Sequence, residues 1–248
     1  MNQRGQLLTV LLLLMTSAAP AFSQQPAHTA ALPQHLRLRA NFSPQSAEVL
    51  LDPAAPAWQS TPAQRIALHR TPPLYDTDPP ASLEISFVEV RTLRAAGKLF
   101  VHLSWRDASA DYVELPAVPD TPPEQRFLKE HTLGPERFFD AAAVMFPKDA
   151  PGGVVSPSLQ MGDAQGPVSM YYWNAARGAM RMEAAGRGTT RRTGDSFSAR
   201  AVYASGTWQV VLELPELPPA TPLAFAIWNG SQLDRDGRKY FSVWHWLE

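Results

Sequence analysis

Apolar and polar residues alternate along much of the chain. Leu83-Glu84-Ile85-Ser86-Phe87-Val88-Glu89-Val90 and Leu99-Phe100-Val101-His102-Leu103-Ser104-Trp105 both repeat with a period of two, as a strand with one buried face does. Ala96-Gly97 turns the chain between them, so the pair predicts a hairpin. Phe197–Tyr203 and Thr207–Leu214, joined around Ser205-Gly206, predict a second. Leu36–Ala40 reads as a first strand, Ala141–Phe146 as a short apolar one stopped by Pro147, and Val168–Trp173 as an aromatic one. Leu223–Trp228 is apolar on both faces and suits a central strand, and Phe241–Leu247 closes the chain as the last.

Between these lie segments of other composition. Pro53–Pro80 reads as extended chain with one short strand, touching the core through Trp58 and Ile66-Ala67-Leu68. Pro116–Pro135 reads as a loop with one helical turn around Gln125–Glu130, and Gly178–Asp195 as an exposed basic loop. Long runs at the helical period are missing. The fold class predicted is all-β, a β-sandwich of about eight to ten mainly antiparallel strands with a few short helical turns. It occupies one domain, 36–248.

The N-terminus follows a different rule. Arg4, the apolar run Leu7–Met15 and Ala21-Phe22-Ser23 make a basic start, a short hydrophobic stretch and a small-x-small end, which is a secretory signal over 1–23. Its apolar run is short for a bilayer span. Residues 24–35 read as a flexible leader, and no later segment is apolar enough to cross a membrane. The expectation is an exported chain without a membrane span. With no cysteine in 248 residues, disulfides, Cys-ligated zinc, iron–sulfur clusters, thiol catalysis and covalent c-type haem are excluded. Export without cysteine fits a bacterial periplasm. A formal net charge of −1 argues against nucleic acid as a partner.

Enzyme signatures are missing: there is no Gly-x-Ser-x-Gly, His-Glu-x-x-His or phosphate-binding Gly-Lys-Ser/Thr loop. The six histidines (28, 35, 69, 102, 131, 245) show no ligand spacing. Two segments stand apart. Met161 adjoins a Gly162-Asp163 turn just before Tyr171-Tyr172-Trp173. A thioether there is a soft ligand for haem iron or copper(I), although gap-filling in the core is the commoner use of methionine. Lys239, one of four lysines, leads into the last aromatic strand. A desolvated lysine becomes a neutral amine able to bind metal, although an edge-strand lysine that discourages sheet pairing is the commoner case.

At these two segments the sequence resembles the haem-binding gamma subunits of periplasmic molybdoenzymes of the type II DMSO-reductase family. That group comprises dimethylsulfide dehydrogenase, chlorate reductase, selenate reductase and ethylbenzene dehydrogenase. The resemblance is carried by Asp140–Pro147, Met161-Gly162-Asp163 to Trp173, Gly206–Val211 and the Ala224–Trp244 block. It implies a β-sandwich holding one non-covalent haem b between Lys239 and a methionine, Met161 first and Met145 as the alternative. Tyr172, Trp173 and Trp228, with Tyr171 and Trp244, would be pocket walls. Arg238, Arg177 or Arg181 would pair with haem propionates. The partners implied are a molybdopterin alpha subunit, an iron–sulfur beta subunit and a soluble c-type cytochrome, with the chain itself a non-catalytic electron carrier. The alternative is a secreted carbohydrate-binding module without haem, drawing on the 7 Trp and 6 Tyr.

Overall fold

The computed structural model describes residues 36–72, 83–112, 138–149, 156–194 and 196–248. The signal segment 1–23, the leader 24–35 and the proline-rich loop 116–135 lie outside the described residues.

In chain order the strands are β1 (Arg37–Leu38), β2 (Ala40–Phe42), β3 (Gln64–Ala67), β4 (His69–Arg70), β5 (Phe87–Ala95), β6 (Lys98–Arg106), β7 (Ala141–Pro147) and β8 (Val168–Asn174). There follow β9 (Gly178–Ala184), β10 (Arg191–Arg192), β11 (Ala199–Ala204), β12 (Thr207–Pro215), β13 (Pro222–Trp228), β14 (Tyr240–Phe241) and β15 (His245–Leu247). Two sheets result. One runs β1-β15-β13-β7-β8-β9-β10, with β14 on β13 and β4 on β14; the other runs β11-β12-β6-β5, with β2 and β3 on the far edge of β5. Among the described residues only β1–β15 and β2–β5 pair in parallel. The molecule is an all-β sandwich, and both expected hairpins, β5–β6 and β11–β12, are present. The strand count exceeds eight to ten because six strands are fragments of two or three residues.

The alternation sorts each strand between two environments. Val144 and Phe146 of β7, Tyr171 and Trp173 of β8, and Phe225 and Ile227 of β13 face the other sheet, meeting Leu103, Trp105, Val210 and Leu212. The intervening residues Met145, Met170 and Ala224 turn outward. They form a second apolar cluster with Val168, Ala184 and Trp244. Every residue of β7 is therefore buried, as its unbroken apolar run requires. A third cluster on the outside of the other sheet sets Leu50 and Trp58 against Phe100 and Val211.

The structure corrects three expectations. The basic stretch 178–195 is not a loop but contains strands β9 and β10. Its arginines mask a period of two in Met180-Arg181-Met182-Glu183-Ala184, with Met180 and Ala184 buried. Residues 53–80 hold more than one short strand: helix α2 (Pro56–Ser60) precedes β3 and β4, started by proline at its first turn, where a missing N–H costs nothing. Helix α1 (Ala47–Leu51) before it is capped by Ser46, whose side chain accepts from the Val49 N–H. Finally, the last strand is broken into β14 and β15.

Candidate functional site: a lysine and a methionine across an apolar cleft

A narrow cleft opens on the outer face of the larger sheet. Its floor is Ala143 and Met145 of β7, Met170 of β8, and Ala224 and Ala226 of β13. The three alanines leave room that larger side chains would fill. Leu159, Met161, Trp228, Lys239 and Phe241 make the walls. The space between them is about 30 Å³, room for a water or two, so these side chains must part to admit anything larger.

Lys239 arrives by strand alternation. Tyr240, fully buried, points into the inter-sheet core, so Lys239 and Phe241 on either side point into the cleft. The backbone of Lys239 is held by Thr71: the Thr71 N–H (3.0 Å) and hydroxyl (3.1 Å) both donate to the Lys239 carbonyl, and the hydroxyl oxygen accepts from the Lys239 N–H at 2.9 Å. The ammonium Nζ lies 5.3 Å from the Trp228 ring centroid. Burial drives the Lys239 pKa below the ordinary lysine value, Asp236 opposing and Arg187 assisting. The side chain is thus biased toward the neutral amine, the form with a lone pair to donate.

Met161 arrives by a strained turn. Its φ is +75°, and that of Gly162 is +72°. The left-handed region costs a side-chain-bearing residue about 1–2 kcal/mol. The turn is closed by the Gly162 N–H to the Ser158 carbonyl at 2.8 Å, and by Asp163 Oδ1 accepting from the N–H groups of Gly166 (2.8 Å) and Gln165 (3.0 Å). A Cβ on Gly162 would fall 2.5 Å from the Gly166 carbonyl oxygen, so only glycine fits. Gly186, from the β9–β10 loop, donates its N–H to the Met161 carbonyl at 2.9 Å, and Trp244 Nε1 donates to the Pro157 carbonyl at 2.8 Å. Two neighbouring elements therefore hold the turn over the sheet.

These two side chains meet. Lys239 Nζ and Met161 Sδ are 3.8 Å apart. At that distance the amine can donate a hydrogen bond to the sulfur, and the pair are the nitrogen and sulfur donors that a soft or borderline metal centre would use. Among the described residues no group of three or more His, Asp or Glu could hold a metal ion. A thioether, an amine whose ammonium form is disfavoured by burial, and apolar walls suit a soft or borderline metal in an apolar complex better than a bare hard cation.

The other expected site residues divide. Met145 is on the cleft floor. Trp228 is in the wall, with Tyr172 edge-on to it at 5.4 Å. Trp244 belongs to the same apolar cluster. Trp173 and Tyr171 lie instead between the sheets, Trp173 5.1 Å from Trp208. Arg238 is buried with its Nε 3.4 Å from Asp234, which also holds Arg70 at 2.5 Å, and it does not line the cleft. Arg181 stacks over Tyr171 at 5.3 Å, and Arg177 lies 5.8 Å from the Phe139 ring. The contributions of Met170 and Phe241 follow from period two in their strands. That of Thr71 has no local signature, because it is 168 residues from Lys239.

Comparison with known proteins identifies relatives of the chain as a whole. A respiratory nitrate reductase heme subunit of Haloferax mediterranei, so named, is 29% identical, over 95% of this chain and 78% of its own length. The chlorate reductase subunit gamma of Ideonella dechloratans is 27% identical (78% and 77%), and the dimethylsulfide dehydrogenase subunit gamma of Rhodovulum sulfidophilum 25% (79% and 73%). Among solved structures, a family 9 carbohydrate-binding module from Caldicellulosiruptor kristjanssonii in complex with glucose aligns at a TM-score of 0.41 and 8% identity, over 83% of this chain and 85% of that one, too distant to bear on function. The ethylbenzene dehydrogenase model matches residues 55–205, from α2 through both sheets to β11. That span is more than half of the sequence, and with gamma subunits among its relatives the chain belongs to the ethylbenzene dehydrogenase family.

Proposed function

We propose that the chain is a periplasmic b-type cytochrome subunit that carries electrons for a molybdoenzyme complex. The observation that carries this reading is the approach of the Lys239 amine to the Met161 thioether across an apolar cleft. The names of the relatives, one a heme subunit and two gamma subunits, supply the class of cofactor and of complex. Lys239 and Met161 would hold one non-covalent haem b in a cleft lined by Trp228 and Phe241, and it would supply a one-electron couple there. Lys239 would give its amine nitrogen, and burial lowers the cost of shedding the ammonium proton. Met161 gives a thioether, a ligand that raises the reduction potential. With both donors engaged, the cleft offers no open position to a substrate, so the chain carries electrons rather than transforming a molecule. The signal over 1–23 would export it, and its partners would be the molybdopterin alpha subunit, the iron–sulfur beta subunit and a soluble c-type cytochrome.

The test is the absorption spectrum of the purified chain, oxidised and dithionite-reduced, with a pyridine haemochrome assay. A low-spin spectrum with extractable haem b is expected, and Lys239→Ala should lose both. A folded, colourless chain that takes up no added hemin would overturn the reading. The carbohydrate-module alternative ranks below it, since none of the seven tryptophans is exposed and such modules present exposed rings to the sugar face.

A smaller effect follows from the support of Lys239. Thr71→Val keeps the shape but removes both hydroxyl hydrogen bonds to the Lys239 backbone. It should cost about 1–2 kcal/mol of stability and weaken haem affinity by about ten-fold, as loss of a supporting contact to a metal ligand does. Thermal melts and hemin titration of the variant check both numbers.

A further inference from the structure

The sheet bearing the cleft connects it to an exposed edge. Across adjacent strands Met145 is paired with Met170, Met170 with Met182, and Met182 with Arg192. Directly opposed residues share a face, so three thioethers form one row that starts on the cleft floor and ends at Arg192 on β10. Each strand step is about 4.8 Å, which puts this edge about 14 Å from Met145. Apart from Met1 and Met15, the chain's methionines (145, 161, 170, 180 and 182) all fall within or beside these strands.

The edge is also the basic part of a chain that is not basic. Residues 177–195 hold five arginines against two carboxylates, Glu183 and Asp195, while the whole chain has a formal charge of −1. Arg187, Arg191 and Arg192 are exposed. Glu183 is engaged by Arg191 at 3.1 Å and by Lys148 at 2.8 Å. Neither Arg187 nor Arg192 has a carboxylate partner among the described residues. Arginine on an edge strand also discourages sheet pairing, but that role does not call for a cluster beside the cleft.

We propose that the β9–β10 edge is the docking surface for an acidic one-electron redox protein. The proposal rests on the electron-carrier reading and locates its outlet. One electron passes between the docked protein and the haem that the cleft would hold: the donor is oxidised by one unit, the acceptor is reduced by one, and no bond or proton moves. Charges at the rim of such a contact govern the rate of encounter more than its final strength.

Two forms of one probe test this: mitochondrial cytochrome c, which is basic, and the same protein succinylated, which is acidic. At low ionic strength the haem-loaded chain should exchange electrons with the succinylated form at least about ten-fold faster than with the native form. The difference should vanish in about 1 M salt, where charges are screened beyond roughly 3 Å. R191E/R192E should invert the preference. R191Q/R192Q, which adds no repulsion beside Glu183, should abolish it, and R200E on β11 should leave it intact. Equal rates, a faster native form, or parent behaviour in both double variants would overturn the proposal. Titrating the two probes onto the immobilised haem-free chain separates the two readings. Absence of preference for the succinylated form there overturns the docking surface, whereas preference in a chain that takes up no haem overturns only the electron-carrier reading.

Discussion

Met161→Leu should leave the haem-free chain within about 1.5 kcal/mol of the parent, as volume-conserving apolar exchanges do, while lowering haem affinity by a hundred-fold or more. The two effects separate because the Met161 turn is held by backbone contacts, from Gly162 to Ser158 and from Gly186 to Met161, that leucine retains. Only the sulfur facing Lys239 is lost. Met145→Leu is the matched control. Met145 lies on the floor of the same cleft, in a relaxed strand, and its replacement should leave the low-spin spectrum unchanged. Hemin titration and the reduced spectrum of both variants decide between the two methionines, and a Met145→Leu protein that alone lost its spectrum would reverse the ligand assignment. Backbone strain points the same way. A residue held at φ +75° persists where the surroundings fix it for a purpose. Met161→Gly relieves that strain and should therefore be more stable than Met161→Ala by about 1 kcal/mol when both are melted without haem.

Two neighbouring carboxylates should respond to replacement in opposite directions. Asp140 is fully buried and accepts from the N–H groups of Asp111 (2.7 Å), Gly230 (2.9 Å) and Trp208 Nε1 (2.9 Å). Asp140→Ala strands three donors and should cost about 3–5 kcal/mol. Asp107 gains less from its position. Burial first, and then the charge of Asp140, push its pKa up to about 7, while burial raises Asp140 itself to about 6. A carboxyl whose folded pKa is raised binds its proton more tightly in the folded than in the unfolded chain. Its contribution therefore falls as pH rises from about 4 to about 7. A shift of this size is worth at most about 4 kcal/mol, and about 2 kcal/mol once residual solvent screening is allowed for. Asp107→Asn should match the parent at pH 4 and exceed it by about 2 kcal/mol at pH 8 in urea titrations. Comparing variant with parent at each pH cancels the opposite trend from His102, whose burial lowers its pKa to about 4.

The sandwich was legible in the sequence where one face of a strand is buried and the other is not. β5, β6, β11 and β12 are of this kind, and their period of two is plain. It was hidden in β9, where arginine and methionine alternate and charge count drew the reading toward a loop. It was also hidden around Pro56, because a proline reads as a break whether it opens a helix or prevents one. Of the candidate site, Lys239 and Met161 could be named, and Met145 kept beside them, but which methionine faces the lysine depends on a turn closed by contacts from distant residues. Trp173 and Arg238 show the limit from the other side. Next-door residues on a strand face opposite ways, so Trp173 lies on the far side of the sheet from Tyr172, while Arg238 sits in the turn before β14 and is taken up by Asp234.

The cleft lies on the outside of its sheet, and the chain's stability does not hang on what fills it. The inter-sheet core of Leu103, Trp105, Val144 and Ile227 closes on the opposite face, with Phe225 shared between the two. Folding and the filling of the cleft are therefore separable events. A chain given no haem should be a native-like species with sharp side-chain order rather than a collapsed or aggregating one.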